Sequence, residues 1–418
     1  MNATPKAVSR AAAAMIALVV VALVAGCGGG GSSVDATPPT PPPPPGTLDT
    51  TFGSGGTVAT QWPYPDAVAL QPDGRIVIAG YDLNNVLLVR YTANGALDAT
   101  FGSAGQVITP YGAGNTRSNG MVIQADGKIV VVAYDLTSCA LMRFLGSGAL
   151  DPKFGAKGIV PFGFGSCGRI ALQKDGKMVV GDGAGRLVRF DPDGTLDTSF
   201  GNAGSVDVGL RGGGMCCDIA LAPDGWIIVF GSERANCCSI EFVVAFNGVF
   251  RRVNPDGTID YTCCTYLIAA GLPVTSDVRL AVQADGKVLV LSKFDSTVRR
   301  LLADGSIDSG FGNGGVATTS IANFLLNGVG LQSNGKIVVV GDLGPGGQGA
   351  MAVARFDSNG AMDSTFGIGG VASAQYVTPS LGFGVAIQSD GRIVAAGTTI
   401  DIHPHMLVTT RFFGDPVQ

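Results

Sequence analysis

Charge is scarce in this chain. Of 418 residues only 14% are Asp, Glu, Lys or Arg, and 27 basic residues face 32 acidic ones. A net charge of -5 leaves no basic footprint for nucleic acid. Histidine is rarer still, with two residues, His403 and His405. The pair alternates along "TTIDIHPHM", so both could face one side of a strand, but no third metal ligand stands near them. No Gly-x-Ser-x-Gly elbow, phosphate-binding loop or zinc-protease motif occurs. Beyond residue 30 no apolar run approaches the ~18 residues of a membrane span. These absences assign no catalytic residue, no metal ligand and no cofactor.

Glycine and proline are plentiful, at 64 and 22 residues, with valine and isoleucine throughout. That mixture suits many short strands joined by tight turns. The first 27 residues form a targeting segment. Lys6 and Arg10 precede the apolar "AAAAMIALVVVALVAG", which runs into Gly and Ser too soon for a good spanning helix. Its end, "LVAGC", resembles the bacterial lipoprotein box, with Val24, Ala25 and Gly26 before Cys27. The resemblance implies cleavage before Cys27, lipidation of that cysteine, and export to a membrane. Gly28, rather than Asp, follows it, which in such lipoproteins points to the outer membrane, facing the periplasm or the surface. Residues 28–45 are a Gly/Ser/Pro-rich linker, flexible at first and then extended through its proline run. The ordered part is expected from Gly46 to the C-terminus.

That part is repetitive. "GTLDTTFGSGGTV" (Gly46 to Val58) returns as "GALDATFGSAGQV" and "GTLDTSFGNAGSV". Its Asp recurs as Asp49, Asp98, Asp151, Asp197, Asp260, Asp308 and Asp363, about 52 residues apart on average. Between phrases, "AVALQPDGRIVIAG" recurs as pairs of β-rich runs around Asp-Gly or Asn-Gly, a strong hairpin signal expected to form type I′ turns. With an Arg-bearing run and the strand after each Phe-Gly, every copy supplies four strands. Seven such copies predict an all-β, seven-bladed β-propeller, because one four-stranded sheet cannot bury its own apolar faces. A β-solenoid is the rival, although its coils are usually shorter. The Leu-Asp-x-x-Phe-Gly-x-x-Gly phrase followed by Gln-x-Asp-Gly-Lys-Ile-Val resembles the delta-60 repeat family of large bacterial secreted and surface proteins. That resemblance spans the chain after the linker and implies no shared catalytic residues.

Arg90, Arg143, Arg189, Arg252, Arg300, Arg355 and Arg411 recur once per copy, and all but the last precede the next phrase's Asp by eight residues. These Asp and Arg residues are read as turn caps and partly buried ion pairs. Phe52, Phe101, Phe154, Phe200, Phe311 and Phe366 are read as plugs between blades. The chain opens with a phrase and closes on an Arg strand, so Gly46–Val58 is expected to complete the last blade, with Asp49 as partner of Arg411. "DPDGTLD" and "DSNGAMD" have only a faint likeness to calcium loops, without the late carboxylate such loops need.

Eight cysteines beyond Cys27 form an even set: Cys139, Cys167, and the pairs Cys216/Cys217, Cys237/Cys238 and Cys263/Cys264. In an exported chain they read as disulfide candidates, with Cys139 and Cys167 linking copies two and three. The three pairs crowd copies four and five, where the step between phrases is longest and "DYTCCTYLIAAG" has lost the Phe plug. Cross-links there would compensate for lost packing, while a soft-metal site is the other reading of six thiols. The function expected is a lipid-anchored, monomeric, non-enzymatic module that binds a protein or glycan or serves structurally, with residues 233 to 247 as contact surface. The alternative is a propeller hydrolase or lyase acting on sugars or lactones, with a metal at the channel mouth.

Overall fold

The structure is a computed structural model that describes residues 41–62, 64–164, 167–182, 185–209, 215–234, 246–262, 278–293, 295–319, 321, 323–344, 349–374, 379–400 and 405–415; of 215–217, 232–234 and 246–249 it describes the backbone alone. Cys27, Cys237, Cys238, Cys263, Cys264 and His403 lie outside the described residues, as do the side chains of Cys216 and Cys217.

The fold follows from one defect of the repeat. Its second run, "IVIAGY" in the first copy, is apolar without alternation, so both faces of the strand must be covered. Ile76, Val77, Ile78 and Ala79 are indeed fully buried, and so are their counterparts in later copies. A single sheet covers neither face; neighbouring sheets on both sides do.

The strands assemble into seven antiparallel sheets. The chain starts with β1 (Thr57–Gln61) and then builds the first blade from β2 (Tyr64–Leu70), β3 (Ile76–Tyr81), β4 (Asn85–Tyr91) and β5 (Gln106–Pro110). The second blade holds β6 (Arg117–Ile123), β7 (Ile129–Tyr134), β8 (Cys139–Phe144) and β9 (Ile159–Gly163). The third holds β10 (Ile170–Leu172), β11 (Met178–Gly181), β12 (Arg186–Phe190) and β13 (Ser205–Asp207). In the fourth, β14 (Met215–Leu221), β15 (Ile227–Arg234) and β16 (Phe246–Val253) are described. The fifth comprises β17 (Val278–Val282), β18 (Val288–Ser292), β19 (Thr297–Leu301) and β20 (Val316–Thr318). The sixth comprises β21 (Phe324–Leu331), β22 (Ile337–Leu343), β23 (Ala350–Phe356) and β24 (Val371–Ser373). The last comprises β25 (Ser380–Ile387), β26 (Ile393–Thr399) and β27 (Met406–Phe412).

The first strands β2, β6, β10, β14, β17, β21 and β25 pack each against the next, and β25 returns to β2. That cycle makes the molecule a seven-bladed propeller. It is closed by strand sharing: β1 pairs antiparallel with β27, from Thr57 opposite Thr410 to Gln61 opposite Met406, and supplies the last blade's outer strand. Asp49 sits beside Arg411, with Arg411 Nε donating to Oδ2 at 2.8 Å. The two ends of the repeat array therefore hold each other.

The hairpins form where Asp-Gly and Asn-Gly stand, but not as type I′ turns. In the first, Gly74 has φ of 82° while Asp73 is not left-handed. Gly74 N–H donates to the Gln71 carbonyl and Gln71 N–H to that of Arg75, each at 2.9 Å. This is a type I turn followed by a left-handed glycine, the three-residue hairpin loop. Asp73 accepts the Arg75 N–H through its side chain, which a helical-region Asp can do without positive φ.

Cys139 and Cys167 form a disulfide, Cα–Cα 6.1 Å, that ties β8 of the second blade to the segment leading into the third. Because ring closure rests on β1, a chain beginning at Tyr64 is expected to lose cooperative unfolding, or to unfold at markedly lower urea concentration, than one beginning at Gly46. Equilibrium urea unfolding followed by circular dichroism measures this, and equal midpoints would show that β1 is dispensable.

Candidate functional site

Antiparallel order gives each blade two unlike ends. The Asp-Gly hairpins and the Leu-Asp-x-x-Phe-Gly phrases, which join first to second and third to fourth strands, share one end. The connections between second and third strands, and those from blade to blade, share the other. The first end is repetitive; the second differs in every copy.

At the repetitive end one unit recurs at each blade junction. Arg90 Nε donates to Asp98 Oδ2 at 2.9 Å, and the Arg143–Asp151, Arg189–Asp197, Arg300–Asp308 and Arg355–Asp363 pairs match it at 3.0, 2.7, 2.8 and 2.7 Å. The other carboxylate oxygen caps the following turn: Asp98 Oδ1 accepts the Thr100 N–H at 3.1 Å and its hydroxyl at 2.6 Å. The guanidinium lies over the Phe of the same phrase, 4.4 Å from the Phe101 ring centre for Arg90 and 4.8 Å from that of Phe52 for Arg411. All six repeated Phe are fully buried. Each Arg also reaches the next copy: Arg90 Nη1 donates to the Gly146 carbonyl at 2.6 Å, Arg143 Nη1 to that of Pro192 at 2.5 Å, and Arg252 Nη1 to that of Ala303 at 3.1 Å. The expected ion pairs and Phe plugs are thus one inter-blade clamp.

Two parts of the clamp were not anticipated from the repeats. In five copies the Lys or Arg after the hairpin Gly gives the Asp a second cation. Arg75 and Arg392 meet Asp98 and Asp49 at 2.8 and 2.9 Å, and Lys177 and Lys336 meet Asp197 and Asp363 at 2.8 and 2.9 Å. The signal was the recurring Gly-Lys/Gly-Arg dipeptide. In the fourth copy, Trp226 takes that place, and Arg252 stacks on it at 3.8 Å from the ring centre. The aromatic partner missing from "DYTCCTYLIAAG" is supplied from the hairpin, where an indole packs on Arg252; the side chains of the three cysteine pairs lie outside the described residues.

Burial alone would raise the clamp carboxylates. The Thr100 hydrogen bonds and the Arg75 and Arg90 guanidiniums outweigh it and hold Asp98 down at about 2; Asp363 is likewise held at about 2 by Thr365, Lys336 and Arg355. Asp49, Asp151, Asp197 and Asp308 are lowered as well.

Around the axis a second set of polar residues stands on or just before the first strands of six blades: Asp in the first and fourth, Asn in the second and sixth, Arg in the third and fifth. Asp66 Oδ2 accepts the Gly120 N–H at 2.7 Å. Asn119 donates to the Cys167 carbonyl at 2.5 Å. Asp218 accepts the Ile219 N–H at 2.9 Å and, across the junction, the Leu280 N–H at 2.7 Å. Asn327 donates to the Gly382 carbonyl at 2.7 Å and to Asp342 at 2.9 Å. Arg169 and Arg279 stand at the same level in the third and fifth blades. Burial pushes the Asp218 and Asp342 carboxyls up. Each residue type stands in only two of the blades, so the repeat gave little sign of the girdle; its trace was a polar residue four or five places before the hairpin Gln, or before Ala222 in the fourth copy. Among the described residues no three His, Cys, Asp or Glu side chains form a metal-binding group.

The variable end exposes apolar and aromatic side chains on the first three blades. Leu136 is 77% and Phe164 81% exposed, and Tyr64 and Leu83 are also exposed. Tyr64 stacks on Tyr81 with ring centres 5.3 Å apart, and His405 lies 6.0 Å from Tyr64 with Nδ1 2.9 Å from the Thr399 carbonyl. Of the expected contact residues 233–247, the backbone of 233–234 ends β15 and that of 246–247 begins β16, and 235–245 lie outside the described residues.

Together these features define a β-propeller repeat protein. Residues 71–101, 124–154, 173–200, 283–311 and 332–366 match the family model described as a domain of unknown function (DUF5122) beta-propeller. The fold is shared with virginiamycin B lyase from Staphylococcus aureus, 11% identical, TM-score 0.56, over 85% of this chain and 99% of that one. It is shared also with a streptogramin B lyase, 12% identical, TM-score 0.53, over 85% of this chain and 98% of that one. At such identities the likeness is one of fold. No curated protein sequence matches the chain.

The clamp makes the fold acid-sensitive in a defined window. Carboxylates held below their unfolded range stabilise fully above about pH 4 and lose that contribution as pH falls toward about 2. Thermal midpoints should therefore be flat between roughly pH 7 and 5 and fall steeply below about pH 4, whereas Asp98→Asn should lower the midpoint already at neutral pH and flatten the acid fall, by about 2 kcal/mol. Trp226 is only half-buried, so Trp226→Ala should cost about 1–2 kcal/mol in urea unfolding, the scale of a lost cation–π contact and partial burial; a loss below about 0.5 kcal/mol would show that Arg252 needs no aromatic partner.

Proposed function

We propose that the protein is a lipid-anchored, exported propeller of the delta-60 repeat kind, acting as a non-enzymatic binding or structural module at the bacterial cell envelope. The observation that carries the binding role is the division between the two ends. The repeated polar side chains spend their hydrogen bonds on one another and on the next blade. At the opposite end no such network intervenes among the described residues, and Tyr64, Leu83, Leu136 and Phe164 are exposed there as on docking surfaces, while Leu97, Leu196, Tyr261, Ile307 and Ile368 are exposed at the repetitive end. Cys27 and the proline-rich linker supply anchor and spacer: about 3.1 Å per extended residue holds the propeller clear of a membrane. A protein or glycan ligand fits Tyr64, Leu136 and Phe164, since aromatic rings stack on both apolar side chains and sugar faces.

The hydrolase or lyase reading draws on one observation, the convergence of Asp66, Arg169 and Arg279 on the axis. Metal content of the purified protein and turnover of a lactone panel separate it from the binding role.

A screen of the mature protein against glycans and envelope proteins should return a ligand whose binding falls at least about tenfold in the Leu136→Ser, Phe164→Ser double variant. The thermal midpoint of that variant should be unchanged, because both side chains are exposed. Fatty-acid labelling that is abolished by Cys27→Ser tests the anchor. Undiminished binding by the double variant would remove this surface, and unlabelled wild-type protein would remove the lipid.

A further inference from the structure

Six of the seven first strands line a cavity of about 170 Å³ on the axis. Most girdle side chains are committed to neighbouring backbone: Asp66 through Oδ2, both oxygens of Asp218, and the amides of Asn119 and Asn327. Arg169 differs. Its Nε is buried without a hydrogen-bond partner, and its Nη2 lies 3.7 Å from Asp66 Oδ1, beyond hydrogen-bond length. A buried donor left unmade is costly, and a guanidinium presents Nε and Nη2 as a planar fork shaped for two acceptor oxygens. Arg279 lines the same cavity from the fifth blade, with Nη1 donating to the Val278 carbonyl at 2.9 Å. Beside Asp66, the first and last blades contribute an apolar patch: Val68, Phe383 and Val385.

We propose that the axial cavity binds a small monocarboxylate, its two oxygens on the Nε and Nη2 of Arg169 and its apolar part against Phe383 and Val68. Size agrees, since a cavity of roughly 150 Å³ accommodates a benzene-sized guest. Charge agrees too. Two arginines, Arg169 and Arg279, and one carboxylate, Asp66, line the cavity, which leaves one positive charge for a single carboxylate and too little for a multiply charged anion. The site is separate from the exposed surface of the variable end and stands whether or not that surface binds a partner.

Isothermal titration of the mature protein with acetate, butyrate and benzoate, with phosphate and ethylammonium as contrasts, tests the proposal. Saturable one-to-one binding of a carboxylate is expected, weakened at least about tenfold by Arg169→Gln. Because Arg169→Gln could disturb the third blade, Val68→Phe provides a second variant: it fills the cavity, keeps both arginines, and should abolish binding with the thermal midpoint retained. No saturable binding of any of the three carboxylates overturns the proposal. So does tighter binding of phosphate or ethylammonium, or an affinity unchanged in either variant.

Discussion

Each junction between blades is held by one guanidinium. At six of the seven it is buried, neutralises the carboxylate of a phrase, lies on that phrase's aromatic ring, and donates to an acceptor of the next copy. Burying an arginine is unfavourable unless every part of it is engaged. Here planarity lets it meet a ring on its face and acceptors on its edge at once, which a lysine could not do. The Asp, the Phe, the turn-capping Thr or Ser and the hairpin cation follow from that single requirement. Arg355 and its partners show the limit of the scheme: at the last junction, where the chain runs out, the acceptor beyond the clamp is Asp415 at 3.1 Å.

The fourth copy shows that the requirement is physical rather than literal. Its phrase has no Phe, yet Arg252 keeps an aromatic face because Trp226 replaces the hairpin cation. One substitution supplies the ring and removes the second positive charge. What is preserved is a covered guanidinium, not a particular motif.

The two ends of the propeller are under different constraints. At the repetitive end a change in any copy breaks a bond to its neighbour, so the copies stay alike. At the variable end the connections cross open surface and can lengthen, carry cysteines or expose rings without loosening a junction. The girdle on the axis lies between these regimes: its residues sit at one structural level, and each fastens to a neighbouring strand in its own way. Cross-blade bonds from Asp66, Asn119, Asp218 and Asn327 do for the first strands what the arginines do further out.

Much of the architecture was written in local pattern. The spacing of Asp49 to Asp363 set the number of blades, the unbroken apolar second strands demanded neighbours on both faces, and the phase of the first phrase and the last Arg strand implied closure. These are properties of successive residues, and short-range chemistry determines them. The hairpin turns were placed correctly but given the wrong type, because dipeptide identity does not settle the φ of the Asp. The partner of Arg252 and the axial girdle could not be read at all. Trp226 looked like one more departure from the repeat, and the girdle changes among Asp, Asn and Arg from blade to blade, with no constant residue to mark it. Only closing the ring brings residues from blades far apart in the chain to one axis, and only packing at a junction decides which ring covers which guanidinium.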